Sequence, residues 1–356
     1  MSGTLAVRLD SDGDVLLTGP AIRALARLGP VDLLASPEGA AAGRLLPGVE
    51  DVRVFAAPWS GFRPPPVDRV AVDTLVDDLA RRCYDRAVLF TSFHQSPLPM
   101  ALLCRMAGIP HIVGTSTDYP GSLLDVRHKR PDPPAGGHEV DAALELAMLA
   151  GAPAPRPEDR RLQVRRPLPP PPEAVRSVLS RSAEPRAVVL HPGASVTSRS
   201  LRAQHAAAIA AVLADAGHPV LVTGGPGERA LAAEIVALSS ERSRGCVIDL
   251  AGQTSLAELA ATLADAGCVI VGNTGPAHLA AAVGTPVVSL FSPVVPVERW
   301  RPYGVPCEVL GDQHARCRDT RARDCPVPGH PCLSSVSAVE VLAAVRRLLT
   351  SSRQEV

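Results

Sequence analysis

The residues from 268 to 291 read CVIVGNTGPAHLAAAVGTPVVSLF, and this stretch decides the fold. It predicts a short apolar strand, a polar turn, a helix opened by Pro276, and a second strand after a Gly-Thr-Pro break. Proline suits the first position of a helix, because its missing N–H would have no partner there and its φ angle is already helical. The turn at 273–275 therefore leads directly into a helix N-terminus.

That N-terminus is a candidate anion site. It exposes N–H groups without intrahelical partners and the positive pole of the helix dipole, so it can bind a phosphate or diphosphate. Asn273 and Thr274 add side-chain donors beside Gly275, and His278 follows one turn later. The structural alternative makes Asn273 or Thr274 an ordinary N-cap and His278 a satisfied interior histidine.

The composition favours a two-domain protein that binds no nucleic acid. A chain of 356 residues exceeds what one core usually serves. Aromatic residues make up 3% of the chain, so stacking platforms for single-stranded nucleic acid are scarce. Lys plus Arg balances Asp plus Glu at 36 each, which leaves no net basic footprint.

The N-terminal residues and the longer apolar runs predict a cytoplasmic protein. The first ten residues turn polar too soon for a signal peptide, and charged residues interrupt every Ala/Leu-rich run before it reaches the length of a membrane span. A peripheral contact with a membrane remains open.

The first half of the chain alternates between strand and helix patterns. Strands are predicted at 5–9, 31–35, 49–55, 87–90 and 111–114, and helices at 15–28, 70–82, 98–107 and 138–150, with a surface loop at 119–137. Such an alternation indicates a parallel sheet covered by helices on both faces.

A proline-rich stretch separates the halves. Residues 165–172 read RRPLPPPP, which cannot continue a helix or a central strand. We therefore predict an N-terminal domain at 1–165, a linker at 166–184 and a C-terminal domain at 185–356.

The second half repeats the alternation and ends in a helix. Strands are predicted at 187–190, 220–223 and 247–249 before the opening stretch, and helices at 203–216, 228–238 and 256–264. An amphipathic helix at 336–349 closes the chain, with packing back onto the N-terminal domain as one option. The pattern predicts a doubly wound α/β domain, whose ligands bind past the carboxyl ends of its strands.

The loops at those strand ends hold the parts of a nucleotide site. The loop at 191–199 supplies Ser195 and Arg199, and the next supplies Gly224 and Glu228. Thr254 belongs to the loop at 252–255. Together with the turn at 273–275, these loops offer phosphate donors, a cation and a carboxylate for ribose hydroxyls. Taken singly, each has a structural alternative: a surface ion pair for Arg199, a tight turn for Gly224 and a helix-dipole partner for Glu228.

Several motifs resemble glycosyltransferase family 9, the ADP-heptose heptosyltransferase family. They are GNTGPAHLAAAVGTPVVSLF at 272–291, VRLDSDGDVLLTGPA at 7–21, HPGA at 191–194 and LVTGG at 221–225. The resemblance spans nearly the whole chain in the right order. It implies a GT-B architecture with two Rossmann-like domains facing across a cleft, the acceptor on the N-terminal domain, a nucleotide-sugar donor on the C-terminal domain, and no catalytic metal.

The resemblance also assigns roles to individual residues. It makes Asp14 the catalytic aspartate, Arg199 the basic residue at the donor phosphates, and Glu228 the carboxylate at the ribose. The remaining assignments are a hydroxyl beside the phosphates and a loop for the diphosphate and the sugar: Ser195, then Thr274, Gly275 and His278. The chain departs from the family at three positions, with Asn273 where aspartate is usual, Arg199 where lysine is usual, and Asp12 where a small or apolar residue is common.

The chemistry leads to the same residues. Displacing a nucleoside diphosphate from an anomeric carbon needs a base for the acceptor hydroxyl and positive groups for the leaving diphosphate. Asp14 can be the base, unless it is only a helix cap or a turn carboxylate. We place Asp10 and Asp12 on the acceptor side, where their charges favour one carboxyl of the cluster holding its proton more tightly.

The cysteines near the C-terminus suggest a metal site only weakly. Cys307, Cys317, Cys325 and Cys332 lack the paired C-x2-C spacing of structural zinc sites. Reduced or loosely packed thiols are the favoured interpretation, and a local disulfide is the intermediate one.

The sequence therefore predicts an inverting, metal-independent glycosyltransferase. The sugar is most simply a heptose, the donor an ADP-sugar or a related nucleotide sugar, and the acceptor a hydroxyl of a glycan or a secondary metabolite; no cofactor beyond the donor is expected. Two rivals share the fold: a nucleotide-sugar epimerase, and a sugar-nucleotide-binding protein without transfer activity.

Overall fold

The structure is a computed structural model of the chain, and it describes residues 3–61, 63–92, 94–132, 135–181, 186–239 and 246–351. It divides into two compact units, Met1–Arg165 and Arg166–Val356. Residues 182–184 of the predicted linker lie outside the described residues.

Unit 1 is built on a six-stranded parallel sheet. Its strands are β1 (Thr4–Arg8), β2 (Val31–Ala35), β3 (Val52–Val54), β4 (Arg86–Leu89), β5 (His111–Thr115) and β6 (Val126–His128). Its helices are α1 (Asp12–Leu25), α2 (Ala40–Leu45), α3 (Arg69–Arg82), α4 (Leu98–Met106) and α5 (Glu139–Leu149). The strand order β3-β2-β1-β4-β5-β6 is that of a Rossmann sheet, and it reverses between β1 and β4.

Unit 2 repeats this architecture. Its strands are β7 (Val188–His191), β8 (Val220–Val222), β9 (Val247–Asp249), β10 (Cys268–Gly272), β11 (Val287–Leu290) and β12 (Cys307–Leu310). Its helices are α6 (Glu173–Arg181), α7 (Ala203–Asp215), α8 (Arg229–Ser239), α9 (Leu256–Asp265), α10 (Gly275–Val283), α11 (Val297–Trp300), α12 (Pro331–Ser334) and α13 (Ala338–Ser351). The order β12-β11-β10-β7-β8-β9 reverses between β7 and β10, and all neighbours run parallel.

Burial explains why these strands form. Every residue of β1, β7, β10 and β11 is buried, as expected for parallel strands covered on both faces. The predicted class, α/β with two doubly wound domains, is confirmed.

Helix α1 begins earlier than predicted. It starts at Asp12, after Ser11 in extended conformation, whereas the predicted helix starts at residue 15. Asp12 and Asp14 occupy its first turn, where their negative charge interacts favourably with the positive end of the helix dipole.

Six elements were missed in the sequence: α2, β6, α6, α11, α12 and β12. Strand β6 lies inside the predicted loop at 119–137, and α6 lies inside the predicted linker, directly after its prolines. The prolines therefore precede a helix start, a place that suits their fixed φ angle.

The last helix, Ala338–Ser351, lies two residues further along the chain than predicted. Helix α13 packs on α7 and on β10, β11 and β12 of its own unit. Four of its side chains lie in the core of unit 2: Val341, Ala344, Val345 and Leu348. Within the described part of the chain, no helix combines the length and the apolar character that crossing a membrane requires.

Candidate functional site

The centre of the candidate site in unit 2 is the point where the strand order reverses. The loops after β7 and β10 meet there, as in other doubly wound sheets that bind ligands at this position. A Cβ on Gly272 would lie 2.5 Å from the carbonyl oxygen of Arg199. Only glycine therefore allows the turn after β10 to approach the loop that carries Arg199.

The N-terminus of α10 has no side-chain cap and is partly exposed. Thr274 occupies the cap position in extended conformation, with φ −143° and ψ 171°, and its side chain makes no capping hydrogen bond. Pro276 follows within the first turn, and Thr274, Gly275 and Pro276 are all partly exposed. The ordinary N-cap considered for Thr274 is thus not observed.

Asn273 joins two loops of unit 2, and its contact with the sugar donor stays a prediction. Its side chain is buried, with Nδ2 donating to the carbonyl of Ser292 at 3.2 Å and Oδ1 accepting from the N–H of Ser292 at 3.1 Å. The amide therefore joins the turn after β10 to the loop after β11. A carboxylate could accept the Ser292 N–H but could not donate to its carbonyl.

Arg199 lies on a short 3-10 turn, Thr197–Arg199, that is held by a segment from the C-terminal part of the chain. We call residues 311–335 the brace. The N–H of Ser198 donates to Arg323 O at 2.9 Å, its hydroxyl to Ala322 O at 2.6 Å, and His330 Nε2 lies 3.0 Å from Ser198 O. Arg199 itself is partly exposed, and Ser195 on the same loop is exposed.

The brace also contacts the loop after β11, to which the side chain of Asn273 is bonded. The N–H of Asp319 donates to Pro293 O at 2.9 Å, and Gln313 Nε2 donates to Phe291 O at 2.9 Å. The brace thus supports the loops after β7 and β11. Sequence analysis missed this role, and the only signal for it was the unusual density of Cys and His in this segment.

All eight cysteines are free thiols. Cys317 and Cys332 are buried in the brace, and burial raises the pKa of both thiols, that of Cys332 to about 11. Among the described residues, no group of three or more His, Cys, Asp or Glu is arranged to hold a metal ion. The favoured interpretation was reduced or loosely packed thiols, and the burial of Cys317 and Cys332 shows that these two thiols are well packed.

Glu228 bridges the loops after β8 and β7. Its Oε2 accepts the N–H of Gly225 at 2.7 Å, and its carboxylate lies so close over Gly193 that any Cβ there would overlap it. Oε2 is also 3.8 Å from Nε2 of the buried His191 ring. Burial lowers the pKa of His191, although the negative charge of Glu228 acts to raise it. The carboxylate is about a quarter exposed, so it can also reach a ligand.

Gly224 and Thr254 lie further from the switch point. The carbonyl of Gly224 accepts the N–H of Gly252 at 2.8 Å, which ties the loops after β8 and β9 together. Thr254 is partly exposed in the loop after β9, an edge strand, and Ser255 rather than Thr254 caps the next helix. Any contact of Thr254 with a ligand would be at the periphery of the site. His278 is buried on α10, as its structural interpretation requires.

The candidate site in unit 1 also lies where the strand order reverses. Arg8, the last residue of β1, is 4% exposed and pairs with two carboxylates: its Nε lies 2.9 Å from Asp10 Oδ2, and its Nη2 lies 3.0 Å from Asp14 Oδ1. Burial would lower the pKa of Arg8, but Asp10 and Asp14 outweigh it and the pKa is raised. The guanidinium is therefore a fixed cation between the two acids.

Asp10 is bonded to the loop after β4. Gln95 Nε2 donates to Asp10 Oδ1 at 2.5 Å, and Arg8 Nη2 donates to Ser92 Oγ at 2.9 Å. Burial raises the pKa of Asp10 to about 6, although Arg8 opposes the shift. The expectation that one carboxyl of the cluster holds its proton more tightly applies to Asp10, with burial as the first cause and the charge of Asp14 as a smaller one.

The side chain of Asp12 is bonded to helix α2. Its Oδ1 accepts the N–H of Ala42 at 2.9 Å, in the first turn of α2, and burial raises its pKa. This side chain caps α2, which is a structural task, and its predicted place on the acceptor side stays a prediction.

A buried ion pair lies beside these acids. Glu139, the first residue of α5, is 2.7 Å from Arg130 Nη1, and both side chains are at most 6% exposed. The charge of Glu139 acts on Arg8 and Asp10. Sequence analysis did not single out Arg8, Arg130 or Glu139.

Comparison with known proteins agrees with the motifs. The sequence profile of "Glycosyltransferase family 9 (heptosyltransferase)" matches residues 73–330, more than half of the chain. Lipopolysaccharide heptosyltransferase 3 of Escherichia coli is 34% identical over 140 residues, which cover 38% of this chain and 39% of that protein. The match thus spans about two fifths of that relative's length.

Two solved structures share the fold. The ADP-heptose lipopolysaccharide heptosyltransferase II of E. coli superposes with a TM-score of 0.74 at 20% identity, covering 99% of this chain and 100% of the other. The E. coli heptosyltransferase WaaC with ADP-2-deoxy-2-fluoro heptose gives a TM-score of 0.64 at 20% identity, covering 97% and 99%. The predicted GT-B fold class is confirmed by these likenesses, and the profile match shows that the chain belongs to glycosyltransferase family 9, the heptosyltransferase family.

Proposed function

We propose that the protein transfers a sugar, most simply a heptose, from an ADP-linked donor to a hydroxyl of a glycan or secondary-metabolite acceptor, with inversion at the anomeric carbon. The family, and the ADP-heptose analogue named for one structural neighbour, support the donor class. The proposed location is cytoplasmic, with peripheral membrane contact left open.

One observation carries the proposal: in unit 2, the uncapped N-terminus of α10 and the Arg199 turn lie together at the switch point. Backbone N–H groups and a guanidinium are the donors that a leaving diphosphate needs. Arginine can grip two phosphate oxygens at once, which fits a diphosphate. Ser195, Thr274 and Gly275 then contact the phosphates, and Glu228 the ribose.

In unit 1, the proposal assigns the general base to Asp14. Its carboxylate is 22% exposed and faces Arg8, so it is both accessible and held in place. Positioned general bases contribute about 10²–10⁴-fold to rate. We propose that transfer needs no metal, because the α10 N-terminus and Arg199 supply the positive charge that the leaving group requires.

The test is a transfer assay with ADP-heptose, together with calorimetric titration of ADP. Asp14→Asn should lower transfer by about 10²–10⁴-fold while leaving the affinity for ADP unchanged. Asp51→Asn is the matched control, because Asp51 pairs with Arg53 and Arg82 at the opposite edge of the sheet. Full turnover by Asp14→Asn would remove the base assignment.

The same assay addresses the rivals and the metal. Tight ADP binding without transfer to any acceptor would favour the binding protein, and release of an epimerised donor would favour the epimerase. Added chelator should leave the rate unchanged, and a loss of activity that a divalent metal restores would contradict the metal-independent mechanism.

A further inference from the structure

Two carboxylates share one buried guanidinium in unit 1. Arg8 lies 2.9 Å from Asp10 and 3.0 Å from Asp14, and exposure increases from 4% for Arg8 to 11% for Asp10 and 22% for Asp14. Asp14 is thus the outer member of the triad, and Asp10 lies behind it. The proposed function uses Asp14 and leaves Asp10 without a task.

We propose that Asp10 is a positioning residue for the base: its carboxylate balances the charge of Arg8, so that Asp14 can take a proton from the acceptor hydroxyl. This inference rests on the proposed function, in which Asp14 is the base. It adds a residue that acts through Arg8 and does not touch the substrate.

The charges of Arg8, Asp10 and Asp14 explain this role. If Arg8 paired with Asp14 alone, the pair would be neutral, and protonating Asp14 would leave a buried cation without a counter-charge. With Asp10 ionised, the three groups carry one net negative charge before transfer and none afterwards. Proton uptake by Asp14 then removes excess charge and leaves the Arg8–Asp10 pair intact.

The bonds balance without any further reactant. The acceptor O–H bond breaks and its proton goes to Asp14, while the acceptor oxygen forms a bond to the anomeric carbon. The bond between that carbon and the diphosphate oxygen breaks, and its electron pair leaves with the diphosphate.

The surroundings of Asp10 fit this role. The charged groups that act on it are Arg8 of β1, Asp14 of α1 and Glu139 of α5, and Glu139 is itself paired with Arg130. Gln95 donates to Asp10 from the loop after β4 and favours its ionised form. Because burial raises the pKa of Asp10 to about 6, its charge changes within the range in which the enzyme can be assayed.

The first test is the pH profile of kcat/KM for wild type, Asp10→Asn and the control Asp51→Asn. Asp10→Asn should lower the rate at pH 7.5 roughly tenfold and lose the acid limb near pH 6, with unchanged affinity for ADP. Asp51→Asn should keep the wild-type profile. An Asp10→Asn profile that keeps the wild-type acid limb would overturn the inference, and so would a loss as complete as that of Asp14→Asn, because Asp10 would then be the base itself.

A second variant covers the case in which Asp10→Asn does not fold. Gln95→Ala removes the neutral donor that stabilises the ionised Asp10, so it should move the acid limb to higher pH. An unmoved limb in a folded Gln95→Ala protein would count against the inference, because a purely structural Asp10 predicts that result.

Different results would contradict the proposed function and the role of Asp10. Wild type without transfer activity, or Asp14→Asn with full activity, contradicts the proposed function. An inactive Asp14→Asn beside Asp10→Asn and Gln95→Ala with wild-type profiles contradicts only the role of Asp10.

Discussion

Replacing Gly272 by alanine tests how closely the two loops of the donor site must approach. The added Cβ would lie 2.5 Å from the carbonyl oxygen of Arg199, whereas ordinary contacts of this kind begin at about 3.4 Å. The carbonyl must therefore move by roughly 0.9 Å or the strand must shift. Because the contact is with backbone, no side-chain rotation can relieve it.

The expected cost follows from this overlap. Forcing one extra carbon into a packed site costs about 1–3 kcal/mol of unfolding free energy. The displaced turn carries Arg199, so the affinity for ADP should also fall, by roughly tenfold if about 1.4 kcal/mol of the phosphate contact is lost. Chemical denaturation measures the first quantity and calorimetric titration the second.

The matched control is Gly227→Ala, because a Cβ at Gly227 would meet nothing within 4 Å. This variant should keep both stability and ADP affinity within about 0.5 kcal/mol of wild type. Equal stability and equal ADP affinity for Gly272→Ala and Gly227→Ala would refute the reasoning.

Three further predictions concern other contacts. Asn273→Asp should lower the unfolding free energy by about 1–3 kcal/mol at pH 7.5, because a buried carboxylate would face the Ser292 carbonyl; a denaturant midpoint equal to that of wild type would contradict this. Ser198→Ala should raise the dissociation constant of ADP about three- to tenfold by loosening the Arg199 turn, whereas unchanged ADP binding would show that the brace does not position it. The unfolding free energy of the wild type should fall by up to roughly 3 kcal/mol as the pH rises from 4 to 6. The reason is that Asp10 keeps its proton in the folded state up to about pH 6, whereas the unfolded chain has already released it. Asp10→Asn should lack this slope when unfolding is measured against pH.

The architecture could be predicted because its signals are local. The apolar strands are short and fully buried, and helices such as α3 and α7 have long periodic patterns, so both types stood out in the sequence. The missed strands β6 and β12 are edge strands that carry charged residues, which blurs the apolar pattern. Helix α2 has six residues, too few for helical periodicity to show.

The candidate site could be predicted only in part, because its support is long-range. The motif pointed to Asn273, but no local pattern shows that its amide binds Ser292, 19 residues later. Ser198 is bonded to Ala322, 124 residues away, and Arg8 to Ser92, 84 residues away. Charge alone could have drawn attention to Arg8, since it is the last residue of an otherwise apolar strand.

The positions of the carboxylates show the same limit. Sequence spacing placed Asp10, Asp12 and Asp14 in one cluster, whereas the start of α1 at Asp12 turns that side chain towards α2. Whether a nearby acid joins a cluster depends on the helix boundary, and sequence patterns fix such a boundary only to within a few residues.

Hydrogen–deuterium exchange with and without ADP tests the central claim most directly, because it needs neither a variant nor a known acceptor. If the diphosphate binds at the switch point of unit 2, ADP should slow exchange in residues 193–199 and 273–278, while β6 and α3 of unit 1 stay unchanged. Protection by ADP that is confined to other segments, with these two loops exchanging as in the free protein, would contradict the account.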